Sequence, residues 1–275
     1  MINQGLKSYT KQISGNVGRI SYHVNPNKEC ANLILDIPLI SKKADRKVGL
    51  SLLYNHQNKS VDSKFGLGFK SSYDMKITLN NTYLSLTMAD CTYSFIKKTS
   101  DNEDKLIIYF DVNDDGYYSE DEKIEINTDK YEVYTNNELG FTINMVESLI
   151  DNKYKYQLVD KSHTSYYFDD SGNLLRIITL KGDDINITST EITNSFSKII
   201  NTISNNKVTN VSSYNTVTRD GEEEELQNSR IDLAYSNNKL TTITIYHNTK
   251  IVEKYQITYL DNYITIFDRI VLLFL

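Results

Sequence analysis

The stretch "YYFDDSGNLLRII", residues 166–178, decides the fold. An aromatic run ends in a cluster of Asp, Ser, Gly and Asn, and a leucine then opens a second apolar run. Two such runs around a turn-forming cluster are a hairpin signal, because Gly and Asn accept positive φ and Asp bonds its own backbone. The pattern returns as "LAYSNNKLTTITI" at 233–245, where we again expect a four- or five-residue polar turn. With a tighter turn it returns once more as "ITYLDNYITIF" at 257–267. Together these make an internal repeat that begins after about residue 160. A lone hairpin leaves its faces open, so each unit needs the next one as a neighbour.

The strand period extends backwards through the chain. "NLILDIPLI" (32–40), "VGLSLLYN" (48–55), "YDMKITLN" (73–80) and "TYLSLTMAD" (82–90) alternate apolar and polar residues. So do "TYSFIKK", "KLIIYFDV", "EKIEINT", "KYEVYT" and "FTINMV" further on. "ITNSFSKIINTISNN" (192–206) is the one candidate helix, and its β-branched residues favour a strand pair instead. The expectation is an all-β protein whose antiparallel strands and hairpins form a long curved sheet. We divide it into an N-terminal β region, 1–160, and repeat hairpins, 161–275.

Composition agrees. The 275 residues include 21 Tyr, no Trp and two Pro, and 39% are hydrophobic, so the chain holds enough apolar surface for a core. The net charge of −6, with scattered lysines, argues against nucleic acid, whose phosphates need clustered cations. Cys30 and Cys91 are too few for a disulfide framework, and one bridge or two thiols both remain open. The N-terminus has no charged-then-apolar signal pattern, and no apolar run reaches the ~18 residues of a membrane span. The closing "IVLLFL" reads as a strand cut off mid-fold or an out-of-frame tail, and leads us to expect an exposed sheet edge near the C-terminus.

A set of short patterns, taken in order, resembles the RHS/YD-repeat family over most of the chain. "GNVGRISYHV" (15–24) leads to "LDIPLI" (35–40), similar to the family's opening Gly-x-x-x-Tyr-x-Ile-Pro-Ile. "VGLSLLYNHQ" (48–57) is similar to its strand ending in Tyr-Asn-Ser, and "FGLGFKSSYDMKI" (65–77) to its Gly-x-Gly-Trp segment, with Phe69 where Trp is usual. "ADCTYSFIK" (89–97) resembles Asp-Gly-Thr-x-x-x-Phe, with Cys91 in place of Gly. "YQLVDKSHTSYYFDDSGNLLRI" (156–177) resembles the strand–turn–strand that begins the repeats proper, whereas the later Tyr-Asp signature is poor. The resemblance implies an antiparallel strip that spirals into a hollow shell, enclosing or carrying a C-terminal effector, often a toxin. On that basis the chain would be an N-terminal piece or a truncated copy of a secreted or cell-surface protein. It contains nothing resembling the family's C-terminal core with its self-cleaving aspartates.

One motif carries chemistry of its own. "DVNDDGYYSEDE" (111–122) places Asp111, Asn113, Asp115, Gly116 and Glu122 at positions 1, 3, 5, 6 and 12 of a calcium loop. Tyr117 at position 7 needs to offer only its backbone carbonyl, Ser119 at position 9 ligates directly or through water, and Glu122 binds with both oxygens. Calcium takes six to eight hard oxygens, which a flexible loop can wrap around it, and Gly116 allows the sharp turn. Strand-like sequence on both sides argues against an EF-hand helix pair, so we expect one structural Ca²⁺ set between strands. The competing reading is a solvated hairpin tip.

Other stretches carry less. "DGEEEE" (220–225) reads as a mobile solvated loop, and "YFDDSGN" (167–173) lacks a closing Glu and reads as the repeat's turn. His23, His56, His163 and His247 lack metal-ligand spacing, and there is no Gly-x-Ser-x-Gly and no phosphate loop. No carboxylate pair stands apart on an apolar face. The functional expectation is a non-catalytic scaffold. The alternatives are a surface module binding carbohydrate or protein through exposed tyrosines, and a hydrolase using paired carboxylates.

Overall fold

A computed structural model describes residues 13–17, 19–26, 31–40, 47–89, 91–98, 106–109, 123–126, 130–219, 222–261 and 263–270. The expected all-β class is what it shows: apart from one 3₁₀ turn at His56–Asn58, the elements are antiparallel strands, with no α-helix among the described residues. The chain forms two compact units, one from residues 1–73 with 196–275 and one from 74–195.

The first unit opens with a five-stranded antiparallel sheet: β1 (Ile13–Val17), β2 (Ile20–Pro26), β3 (Ala31–Ile40), β4 (Leu50–Asn55) and β5 (Phe69–Ser71). Ile37, Leu52 and Tyr54 on β3 and β4 are fully buried.

The second unit continues with β6 (Lys76–Asn80), β7 (Tyr83–Thr87), β8 (Thr92–Lys97), the hairpin β9 (Leu106–Tyr109) and β10 (Lys123–Ile126), and β11 (Tyr131–Asn136). It is completed by β12 (Phe141–Ile150), β13 (Tyr154–Val159), β14 (Ser165–Phe168), β15 (Leu174–Ile178), β16 (Asp184–Ile187) and β17 (Glu191–Asn194). Its period-2 logic is plain in β7 and β8. Leu84 pairs with Phe95 on the buried face, while the neighbouring pair Tyr83 and Ile96 points to solvent. Burying each of Leu84, Leu86 and Phe95 contributes roughly 1.5–3 kcal/mol.

Three consecutive turns of this unit share one architecture. In Asp160–Thr164, Asp169–Asn173 and Thr179–Asp183 the first residue's N–H donates to the fifth residue's carbonyl, and the fourth residue's N–H to the first residue's carbonyl. The first side chain then accepts from the fifth residue's N–H, at 3.1 Å for Asp160, 2.7 Å for Asp169 and 3.1 Å for Thr179. The fourth position is left-handed each time: His163, Gly172 and Gly182, at φ 58°, 77° and 80°. The "DDSGN" cluster that opened the sequence reading is the middle one. There a β-carbon on Gly172 would lie 1.8 Å from the Ile77 carbonyl oxygen, so only glycine fits.

The chain returns to the first unit as β18 (Ser197–Ser204), β19 (Lys207–Arg219), β20 (Glu222–Ser236), β21 (Lys239–His247), β22 (Lys250–Leu260) and β23 (Tyr263–Ile270). The stretch 192–206 accordingly supplies the end of β17 and all of β18, with turns after each, as expected from its β-branched residues. At 233–245 the turn is tighter than the expected four or five residues: β20 and β21 are joined by Asn237–Asn238 alone. Both residues take positive φ, 50° and 62°, which a type I′ turn requires at both central positions, and Asn205–Asn206 repeats this at 49° and 62°. A register shift just before the turn recurs at Thr202/Ile203, Ala234/Tyr235 and Thr258/Tyr259.

These hairpins are stitched by tyrosines. Tyr235 donates to the Val208 carbonyl and Tyr259 to the Leu240 carbonyl, each at 2.8 Å. Val208 and Leu240 are each the second residue after the preceding Asn-Asn turn, so the two bonds are equivalent. Tyr54 of β4 bonds the backbone of Ile264, which stands one place after Tyr263 at the start of β23. The segment between β4 and β5 runs along the same turn ends. Val208 N–H donates to the Lys64 carbonyl at 2.8 Å, Leu67 N–H to the Asn238 carbonyl at 3.0 Å, and Lys207 pairs with Asp62 at 2.9 Å. Gly68 packs where a β-carbon would meet the Tyr54 ring at 2.6 Å, and Phe69 beside it is fully buried.

Candidate functional site

The calcium-loop residues Asp111, Asn113, Asp115, Gly116, Tyr117, Ser119 and Glu122 lie outside the described residues. Their flanks are described, and they are strands. β9 and β10 pair antiparallel with Tyr109 opposite Lys123. The stem is anchored as well. Ile124 and Ile126 pack on a cluster of Val146, Ile150, Tyr154, Tyr167 and Ile178. Lys123 pairs with Glu125 at 2.8 Å. A recess of about 280 Å³ lies next to the stem, lined by Ile124, Lys130, Leu149 and Asp151.

Among the described residues no group of three or more His, Cys, Asp or Glu could hold a metal ion. His56 sits against the rings of Tyr54 and Tyr263, at 6.4 and 4.8 Å between centroids, and burial together with nearby Lys59 pushes its pKa down. His163 occupies the left-handed position of a turn and His247 ends β21. Asp169 is committed to its turn, accepting from both nitrogens of Asn173. Asp160 is likewise committed. Its partial burial pushes the carboxyl up, but hydrogen bonds from Ser162, Thr164 and Tyr166 outweigh this and hold it below its usual range. Cys91 is half-buried between β7 and β8, its carbonyl accepting from Met88 N–H at 2.8 Å. Cys30 and the tail 271–275 are outside the described residues.

The acidic run requires a correction. Glu222–Glu225 are not loop but the first residues of β20, paired with Arg219, Thr218, Val217 and Thr216 of β19. The β-branched partners and the Arg219 cation opposite Glu222 make a strand pair that the glutamates alone did not suggest.

Sequence reading also missed a cleft at the end of the hairpins opposite the Asn-Asn turns. It measures about 480 Å³ and is lined by Arg19, Lys47, Asn228, Ser229, Tyr246 and His247, with Ile40, Ile245 and Val252 as its apolar part. A second recess of about 380 Å³ shares Asn228, Ser229 and Tyr246. Arg19 Nε donates to Glu253 at 3.0 Å, and the Tyr255 hydroxyl donates to the same carboxylate at 2.5 Å. Arg230 grips Asp232 through Nε and Nη2, at 3.0 and 2.6 Å, with its guanidinium 4.8 Å from the centre of the Tyr246 ring. Partial burial pushes the Asp232 carboxyl up, but Arg230, Asn210 and Tyr246 outweigh this and leave it below its ordinary value. The lining comes from strands some 200 residues apart in sequence. No local spacing announces it. Its amides, hydroxyls and cations can hold a polar ligand by hydrogen bonds.

No known protein-family model matches the chain, and no curated protein matches it either. No helix among the described residues is long and apolar enough to cross a membrane.

Proposed function

We propose that this protein is a non-catalytic β scaffold, the N-terminal part of an RHS/YD-like repeat shell that carries or encloses a C-terminal effector. The observation that carries this reading is the equivalence of Tyr235 to Val208 and Tyr259 to Leu240. Successive hairpins joined by the same bond at the same place behave as repeats, each stabilising its neighbour. The three identical turns at Asp160, Asp169 and Thr179 support the same reading. The test is the coding sequence after the codon for Leu275. The proposal expects further tyrosine-rich hairpins leading to a distinct C-terminal domain. A stop codon followed by an unrelated reading frame contradicts it.

Within that scaffold, the proposal gives the 111–122 loop one structural Ca²⁺, held by Asp111, Asn113, Asp115, Tyr117, Ser119 and Glu122. The anchoring of β10 on the Val146–Ile178 cluster supports a structural role, because ordering the loop also orders a stem that packs on the core. A sensor would need a helix pair to open, and strands flank this loop.

A further inference from the structure

Strands β19 and β20 outrun their neighbours. β18 reaches β19 only as far as Asn215, apart from a single bond from Thr216 N–H to the Phe196 carbonyl at 3.1 Å. β21 reaches β20 only from Arg230 onward. Residues Thr216–Arg219 and Glu222–Glu225 therefore pair only with each other, as a two-stranded arm, while Leu226, Gln227 and Ser229 pair on one side alone, with Asn215, Tyr214 and Ser213 of β19. A register shift at Ser213/Tyr214 leaves Asn228 unpaired in the ladder and bends the arm at its base. Glu222 to Asn228 are all exposed. Among the described residues, no strand pairs with the outer edge of β20 along this stretch, so its alternate N–H and C=O groups have no ladder partner there.

An open strand edge is a template for one more strand. Charge decides what can add. Glu222 and Glu224 line one face of the arm, Glu223 and Glu225 the other. Among the described residues, two of them have cationic partners, Glu224 with Arg219 at 3.8 Å and Glu225 with Lys198 at 2.5 Å. A second copy of this edge would bring like charges together, which opposes self-pairing. An extended segment carrying Lys or Arg at alternate positions meets no such repulsion. At the base, the recess beside Tyr246 offers Gln227, Asn228, Asn248 and Thr249 to an end residue of the added strand.

We propose that the outer edge of β20, Glu222–Gln227, binds an extended basic segment of a partner protein by strand addition. The probe is a synthetic peptide that alternates Lys with Thr or Val. Its control is the same peptide N-methylated at alternate residues, which keeps the charge and loses the backbone donors. Titrated onto the full chain, the peptide should bind saturably and slow amide exchange along Glu222–Gln227, and the N-methylated form should do neither. Replacing Glu222, Glu223, Glu224 and Glu225 together by Gln should weaken binding about tenfold, the cumulative scale of several exposed ion pairs. The variant's melting point should match wild type, and if it fails to fold, the N-methylated control still decides on the wild-type chain. Equal binding of the two peptides, no change in exchange, or concentration-dependent protection of this edge without peptide would each overturn the proposal.

Discussion

Tyr259→Phe deletes one hydroxyl and nothing else. The ring keeps its place, while the Leu240 carbonyl, on a residue with no exposed surface, loses a 2.8 Å bond. Removing a partner from a buried acceptor costs about 1–3 kcal/mol, and since carbonyl oxygens have a second lone pair we take the lower half, about 1–2. For a domain of this size that corresponds to a drop of about 2–6 °C in Tm. Tyr235→Phe removes the equivalent bond to Val208, also fully buried, and should cost the same within about 0.5 kcal/mol. Tyr259→Leu should cost more than the Phe variant, because it also removes ring packing. The assay is thermal and urea unfolding of each variant, followed by circular dichroism. Phe variants that melt with wild type would refute the latch, and one costly with the other neutral would refute the equivalence of the two repeats.

Gly172→Ala should destabilise the second unit by about 3 kcal/mol, from left-handed strain plus loss of the 2.8 Å bond between Ile77 N–H and the Gly172 carbonyl. Gly172→Asn should not rescue it in chemical denaturation, although Asn tolerates positive φ, because its β-carbon meets the same Ile77 oxygen. Alkali should unfold the protein cooperatively. Burial pushes Tyr73 and Tyr134 up to about 12, so their stabilisation is complete below the unfolded value of about 10 and is lost as pH rises from there toward about 12. The last part of the rise in phenolate absorbance should coincide with loss of the strand signal. Smooth ionisation near pH 10 with the sheet intact would contradict it.

The strand content was legible because alternation is local. Leu84, Leu86 and Phe95 announce their buried face by spacing alone. The turn at "DDSGN" was legible for the same reason, since Asp169, Gly172 and Asn173 settle it among themselves. "SNNK" suggests a longer turn because nothing local shows that both asparagines go left-handed; the strand twist demands it. "DGEEEE" suggests a loop because the strand character of Glu222–Glu225 comes from Thr216, Val217 and Arg219 across the hairpin. The cleft beside Tyr246 was invisible for a stronger reason. Arg19, Lys47 and His247 meet only after the unit has closed across more than half the chain.

The response of the chain to calcium decides whether the 111–122 loop holds an ion. For an extracellular-type site with Kd of roughly 10⁻⁴ M, a few millimolar Ca²⁺ should raise stability by about 2 kcal/mol, and Mg²⁺ by much less because it gives up water reluctantly. Glu122→Gln should remove most of that gain, and Glu223→Gln, in the arm, should leave it intact. Amide exchange should slow with Ca²⁺ along β9 and β10, whose ladder closes the loop at Tyr109 and Lys123. The deciding measurement is the thermal midpoint of wild type and both variants in Ca²⁺, Mg²⁺ and chelator. A midpoint that rises only with Ca²⁺ and only while Glu122 is present supports the account, and a wild-type midpoint that is the same in Ca²⁺ and in chelator contradicts it.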